Sequence, residues 1–194
     1  MLTRLVHFPF LVFHSLLHRP IPLLQGLEIN NLTRQSFLTH VGANGSQRMS
    51  DLVAYVDGGS LGNPGPSGIG VVIQGCAGGT IRIAKWIGRQ DNNVAEYVAL
   101  LEALQCALTL KAKVLHVYSD SEVVVRQMQG RYACRSPRLY SLHWICRKLA
   151  RSFKFSITHV PRERNMEANG LANSAVQERL SARNEAGARS SCAL

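Results

Sequence analysis

Tyr55-Val56-Asp57-Gly58-Gly59-Ser60-Leu61-Gly62-Asn63-Pro64-Gly65-Pro66 joins the end of an apolar, alternating run to a turn rich in glycine and proline. Such a run reads as a strand that stops at the glycines, and it leaves the Asp57 carboxylate where strand gives way to turn. Two more acids recur at junctions of this kind. Glu96 stands in Asn92-Asn93-Val94-Ala95-Glu96-Tyr97, where a helical pattern begins, and Asp120 in Tyr118-Ser119-Asp120-Ser121, where a short apolar strand ends. One acid so placed is ordinarily a cap. Three in coherent order point to a hard divalent cation, because Mg2+ takes a few carboxylates and completes its shell with water and substrate phosphate.

Outward from this stretch the pattern predicts strands over residues 52–57, 68–74 and 80–87, joined by glycine-rich turns that suit antiparallel hairpins. A helix follows over 94–110, with Val94, Val98, Leu101, Leu104, Ala107 and Leu108 on one face and Asn92 or Asn93 as its cap. Residues 114–119 read as a buried strand, 122–129 as a short helix, and 137–151 as a helix with Pro137 in its first turn. A strand over 154–160 and a helix over 165–180 complete the order βββαβααβα. That order predicts an α/β fold: a mixed five-stranded sheet, its first three strands antiparallel, flanked by helices. With the first and fourth strands parallel neighbours, Asp57 and Asp120 end at one edge, and Glu96 points there from the first turn of the crossing helix. Clustered carboxylates repel one another, and a pair of divalent ions roughly 4 Å apart offsets that repulsion while gripping a phosphodiester from both sides.

Composition narrows the partners. The chain of 194 residues carries a formal charge of +10, of which +6 falls on residues 51–180. A basic domain whose acids gather at turns fits a polyanionic ligand held through metal. The five cysteines, Cys76, Cys106, Cys134, Cys146 and Cys192, are odd in number and lack any CxxC pair, so they read as reduced thiols and argue against a zinc site. Arg131, Arg135, Arg138, Arg147, Lys148, Arg151 and Lys154 are interleaved with Tyr132, Tyr140 and Trp144. Because Leu142, Trp144, Ile145 and Leu149 sit at helical spacing, the aromatics are expected in the core and the cations on a solvated face. Trp86 is expected to serve packing.

Four segments, YVDGGSLGNPGP, NNVAEYVALLEAL, VYSDSEVVVRQM and HVPRERNMEANGLANSA, together resemble the ribonuclease H family of type 1, in its compact form without a basic protruding helix. The likeness covers nearly all of residues 51–180. It implies a ribonuclease H-like fold and a metal-dependent endonuclease that hydrolyses the RNA strand of an RNA/DNA hybrid to 3'-hydroxyl and 5'-phosphate ends, with Mg2+ as cofactor and Mn2+ as a substitute. Position by position it implies that Asp57, Glu96 and Asp120 are the catalytic, metal-binding carboxylates, with Asp57 touching both ions. Gly58, Gly59 and Ser60 would let the backbone approach the minor groove, where the 2'-hydroxyls lie. Asn92 and Asn93 match asparagines at that groove, and Asn63 matches one that helps hold a DNA-strand phosphate. By their own chemistry, Asn63 before Pro64 is a good turn former and Asn92 or Asn93 a good helix cap.

One position departs from the family. Where the family has a fourth aspartate this chain has Asn169, expected here as a neutral catalytic and metal-site residue. Glu167 lies about 200° away around a helix and is a poor stand-in, whereas Glu163 lies within reach of the site. His159 reads as the end of a strand rather than as a match for the mobile histidine of some relatives. An RNA/DNA hybrid-binding domain with impaired or lost catalysis is the rival reading, and a nuclease of the same fold acting on other nucleic acid is a third. The three retained acids favour the enzyme, since a pure binder gains nothing from mutual repulsion.

Residues 49–180 are expected to form the domain, beginning at Met49-Ser50-Asp51. Residues 1–48 read as an extension outside the fold, whose apolar stretch is too short to span a membrane. Residues 181–194 read as a disordered tail. The expected setting is cytoplasmic, with an RNA/DNA hybrid as partner, no membrane, no obligate protein partner, and a monomeric chain.

Overall fold

The structure, a computed structural model, describes residues 51–76 and 78–191. The expectations for residues 1–48, for the domain start at Met49-Ser50, for Cys192 and for the last three residues of the tail therefore lie outside the described residues. Three strands come first: β1 (Asp51–Ser60), β2 (Gly65–Cys76) and β3 (Gly79–Gln90). After them come α1 (Asn92–Thr109), β4 (Val114–Ser119), α2 (Glu122–Met128), α3 (Pro137–Ala150), β5 (Lys154–His159), one 3-10 turn (Arg162–Arg164) and α4 (Met166–Ser191). The strands form one sheet in the order β3-β2-β1-β4-β5. β1 pairs antiparallel with β2 and β2 with β3, while β1 with β4 and β4 with β5 are parallel. The mixed five-stranded α/β sheet expected from the sequence is thus present.

Alternation on β1 sorts the molecule into layers. Leu52, Ala54 and Val56 are fully buried and face α1 together with Leu115 and Val117 of β4. The opposite face of β1, β2 and β3 is covered by α4. Both helices sit unusually close to the sheet because glycine lines their paths. A Cβ added at Gly58 would lie 2.1 Å from the backbone carbon of Ala95 in α1. One added at Gly70 would lie 1.9 Å from the carbonyl oxygen of Ala168 in α4, and Gly68 faces Ala172 in the same way. From α4 the matching side chains are small: Ala168, Ala172 and Ala175 are all buried.

Three sequence expectations change. First, α1 is buried far beyond a single stripe, including Tyr97, Ala99, Leu100 and Ala103, because α3 packs on the side away from the sheet; Leu108, assigned to the inner face, is 37% exposed. Second, Trp144 is 52% exposed and Tyr140 59%, not core. The buried seam of α3 is Leu139, Leu142, Cys146 and Ala150, and Trp144 lies two residues from Leu142, about 200° around the helix. Third, α4 continues to Ser191 instead of stopping near Leu180 before a disordered tail. Residues 181–191 hold no proline, and their alanines, arginines and Glu185 are good helix formers that carry the helix on through Gly187.

The close approach at Gly70 predicts that Gly70→Ala lowers stability in urea unfolding by about 3 kcal/mol or more, since the added methyl meets backbone and not a flexible side chain. A loss under about 1 kcal/mol would mean that α4 shifts freely on the sheet.

Candidate active site

Parallel pairing of β1 with β4 sets Val56 opposite Ser119, so the next residue on each strand, Asp57 and Asp120, stands at the same sheet edge. Glu96 arrives from the second turn of α1, pressed down by the glycine contact at Gly58. One ligand oxygen from each of Asp57, Glu96 and Asp120 lies within 4.8 Å of the others. Asp57 and Glu96 are 5% and 7% exposed. Among the described residues these are the acids drawn into a group of this kind.

The electrostatics are unfavourable for the acids alone. Burial pushes the Asp57 carboxyl up to about 7, with the charge of Asp120 and a hydrogen bond to it adding to the rise; Arg162 and the Asn169 amide pull the other way. Burial also lifts Glu96 well above the usual carboxylate range, helped by the charges of Asp57 and Asp120. The Gly58 N–H and the charge of Arg162 oppose that shift. Glu96 Oε2 is buried without a hydrogen-bond partner. An acceptor left bare beside two more carboxylates is the donor set that a hard cation fits, because only a cation satisfies the lone pairs and offsets the repulsion together.

Asparagines complete the site. Asn169 Nδ2 donates to Asp57 Oδ2 at 3.2 Å, and Asn169 Oδ1 accepts from Asn173 Nδ2 at 3.0 Å. The position expected to be a neutral fourth member therefore bonds directly to the central acid. Asn165, which sequence reasoning treated only as a helix start, is 1% exposed and donates through Nδ2 to Asp120 Oδ1 at 2.8 Å and to the Val56 carbonyl at 2.9 Å. A signal for it was available: Asn165, Asn169 and Asn173 repeat at every fourth residue and so share one helix face. Arg162, in the 3-10 turn, was also missed as a charge acting on the acids. His159 ends β5, and its Nε2 lies 3.2 Å from the Asp120 carbonyl oxygen. Glu163 is exposed and outside the acid group, and Glu167 is turned away to pair with Arg82 at 2.6 Å.

The residues assigned to substrate lie around this edge. Gly58 is buried beneath α1, so its missing side chain serves helix packing. Gly59 is half-buried, and a Cβ there would meet only Asn173 Oδ1, 3.9 Å away. Ser60 Oγ donates to the Gln90 carbonyl at 3.0 Å, tying β1 to the end of β3. Asn63 Oδ1 accepts from the Asn92 backbone N–H at 3.1 Å, holding the turn against the start of α1. Asn92 and Asn93 are exposed, but the N-cap is Asp91, whose carboxylate is drawn off to Arg138 at 2.7 Å. The helix's first N–H groups thus find part of their satisfaction from Asn63, across the loop.

Comparison with known proteins agrees with this architecture. A family model described as "Reverse transcriptase-like" matches residues 55–175. The ribonuclease HI of Halobacterium salinarum is 39% identical over 127 residues, 64% of this chain and 64% of that protein. A bifunctional protein of Mycobacterium tuberculosis is 41% identical over 128 residues, 64% of this chain, and the chain spans only 35% of its length. Among solved structures, RNase H1 from Halobacterium salinarum superposes with a TM-score of 0.63 at 38% identity, over 66% of this chain and 98% of that one. LC11-RNase H1 in complex with an RNA/DNA hybrid gives a TM-score of 0.63 at 37% identity, over 67% and 99%.

A pH dependence follows from the raised carboxyls. An acid whose folded pKa exceeds its unfolded value stabilises the fold below the unfolded value and loses that contribution as pH rises through the folded one. For Asp57 the window runs from 3.8 to about 7. In chelator, Asp57→Asn is therefore expected to match the parent melting midpoint near the bottom of this window and to exceed it increasingly toward the top. A difference that stays flat with pH would show that Asp57 is not held in its protonated form.

Proposed function

The chain belongs to the type 1 ribonuclease H family, and on that premise we propose that it is a metal-dependent endonuclease hydrolysing the RNA strand of RNA/DNA hybrids to 3'-hydroxyl and 5'-phosphate ends. The observation that carries this reading is the group Asp57, Glu96 and Asp120 within 4.8 Å, with one glutamate oxygen buried and unpartnered. These three would hold Mg2+, or Mn2+ in its place. A divalent ion held by them would supply Lewis-acid polarisation of the scissile phosphate and would lower the pKa of an attacking water toward neutrality.

The chain's own residues prepare that site. Asn165 fixes Asp120 by one oxygen, the Gly58 N–H steadies Glu96, and Asn169 fixes Asp57. Each acid is thereby oriented before substrate arrives, which lowers the cost of reorganisation during reaction. We assign Asn169 as the neutral fourth member of the catalytic and metal site. Gly58, Gly59, Ser60, Asn92 and Asn93 we assign to the minor-groove side of the hybrid, and Asn63 to a DNA phosphate. The basic surface supplies most of the affinity for a polyanion. One chain carries the whole acid group, so the reading needs no second copy and we take the protein to act as a monomer. Cys76, Cys106, Cys134 and Cys146 are free thiols, in keeping with a cytoplasmic setting. No helix among the described residues is long and apolar enough to cross a membrane.

Labelled RNA/DNA, RNA/RNA and DNA/DNA duplexes test the proposal. Cleavage of the hybrid alone is expected, abolished by chelator and restored by Mg2+ or Mn2+. Asp57→Asn should abolish turnover and leave hybrid binding nearly intact; equal loss of both would assign Asp57 a structural role.

Asn169 bears on the rival reading, a hybrid binder with weakened catalysis, because a neutral amide stands where the family resemblance implies an aspartate. Asn169→Asp is expected to raise the cleavage rate by about tenfold, equivalent to about 1.4 kcal/mol of transition-state stabilisation, with little change in hybrid affinity. An unchanged or lower rate in both metals would show that the amide bond to Asp57 already meets the need at this position.

A further inference from the structure

The outer face of α3 carries chemistry that the acid site does not use. Between Glu122 and Glu163 the chain holds no acidic residue, yet it holds Arg126, Arg131, Arg135, Arg138, Arg147, Lys148, Arg151, Lys154 and Arg162. On α3 itself Tyr140 and Trp144 are 59% and 52% exposed. Exposed aromatics of this size on a helix with a complete buried seam are not left over from core packing. Lys148 Nζ lies 4.8 Å from the centroid of the Trp144 ring. Residues 140, 144, 147, 148 and 151 recur at spacings of four, three, one and three, within about 100° of the helix circumference, and form a stripe about 16 Å long. Arg138, at the start of the helix, reaches Asp91 at the cap of α1, so this end of α3 adjoins the loop that borders the acid site.

We propose that this stripe binds a single strand of nucleic acid, with Tyr140 and Trp144 stacking on unpaired bases and Arg147, Lys148 and Arg151 following the phosphates. The helix carries cations and no acidic residue of its own, which disfavours a cationic partner and favours a polyanion. Aromatic faces set among those cations select bases over bare phosphate, since every base offers a stacking face and only an unpaired one is accessible. At roughly 3.4 Å per stacked nucleotide the stripe accommodates about four or five. The binding is sequence-tolerant, because neither stacking nor phosphate contact reads base edges. It extends the protein's grip beyond the duplex at the acid site to a single-stranded segment, and it does not depend on cleavage.

The test is equilibrium binding of the full chain to a 15-nucleotide oligodeoxythymidylate in chelator, read by tryptophan emission and by anisotropy of a labelled oligonucleotide. The chain has two tryptophans, Trp86 on β3 and Trp144. Quenching in the parent chain and its loss in Trp144→Phe, with anisotropy still reporting binding, would place the strand on α3. Tyr140→Ala with Trp144→Ala is expected to weaken the oligonucleotide by about tenfold or more. Arg147→Gln with Arg151→Gln is expected to lower the slope of log affinity against log salt by up to about 1.4. Because all four side chains are exposed, the melting midpoint should hold, and circular dichroism verifies it. Unaltered affinity in the aromatic pair overturns the proposal. So does a blunt DNA duplex of equal length that binds as tightly and suffers the same loss, or loss confined to vesicles of anionic lipid. Failure here leaves metal-dependent hybrid cleavage untouched, and failure of cleavage leaves this binding measurable.

Discussion

Backbone-to-backbone contact between helix and sheet is the constraint on which the site depends. Helices ordinarily stand off a sheet by the thickness of two side-chain layers, and at that distance neither Glu96 nor Asn169 would reach Asp57. At Gly58 and Gly70 the strand has no side chain to interpose, and the helices bring backbone to the contact, from Ala95 and Glu96 at one and from Ala168 and Ala172 at the other. The two approaches come from opposite faces of the sheet and converge on one residue. Changing either glycine moves a helix that carries a site residue, so stability and site geometry are coupled at these positions by plain steric exclusion.

The second constraint is electrostatic and runs against folding. Burying Asp57 and Glu96 beside Asp120 costs free energy in the absence of a cation, as their raised carboxyls record. The protein moderates this cost with dipoles and an exposed positive charge, using asparagine amides, the Gly58 N–H and Arg162, and leaves one Glu96 oxygen bare. Full neutralisation by a nearby lysine or arginine would have been more stable but would have removed the attraction for a divalent ion. Local frustration of this kind is typical where local stability and function make opposite demands.

Periodicity made most of the fold legible. Strand β4 matches its expected range residue for residue, and the parallel neighbours β1 and β4 follow from the order of elements. The three acids were legible for the same reason: each ends or begins an element, and topology does the rest. What the sequence left open depended on three-dimensional neighbours. Leu108 belongs to the apolar pattern of α1 but emerges into solvent, while Tyr97 is wholly buried by α3, an element over forty residues later. Trp144 read as core from its helical spacing with Leu142, Ile145 and Leu149, and only the buried seam of Leu139, Leu142 and Cys146 shows that it faces outward. Asn165 read only as the start of a helix because its other role, holding Asp120, joins residues 45 apart in sequence.

The seating of α4 on Gly70 also orders events during synthesis. Nearly a hundred residues separate Gly70 from Ala168. At about 5–20 residues per second, the glycine-lined face of β2 waits on the order of 5–20 seconds before its helix has been made. A strand face with hydrogen in place of apolar side chains offers passing chains little to stick to, so the same glycines that admit the helix also keep its vacant berth quiet. Asn165 and Asn169 arrive with that helix. The acids of β1, α1 and β4 therefore exist for a time without the amides that orient them, and the nascent chain completes the geometry of its acid site last.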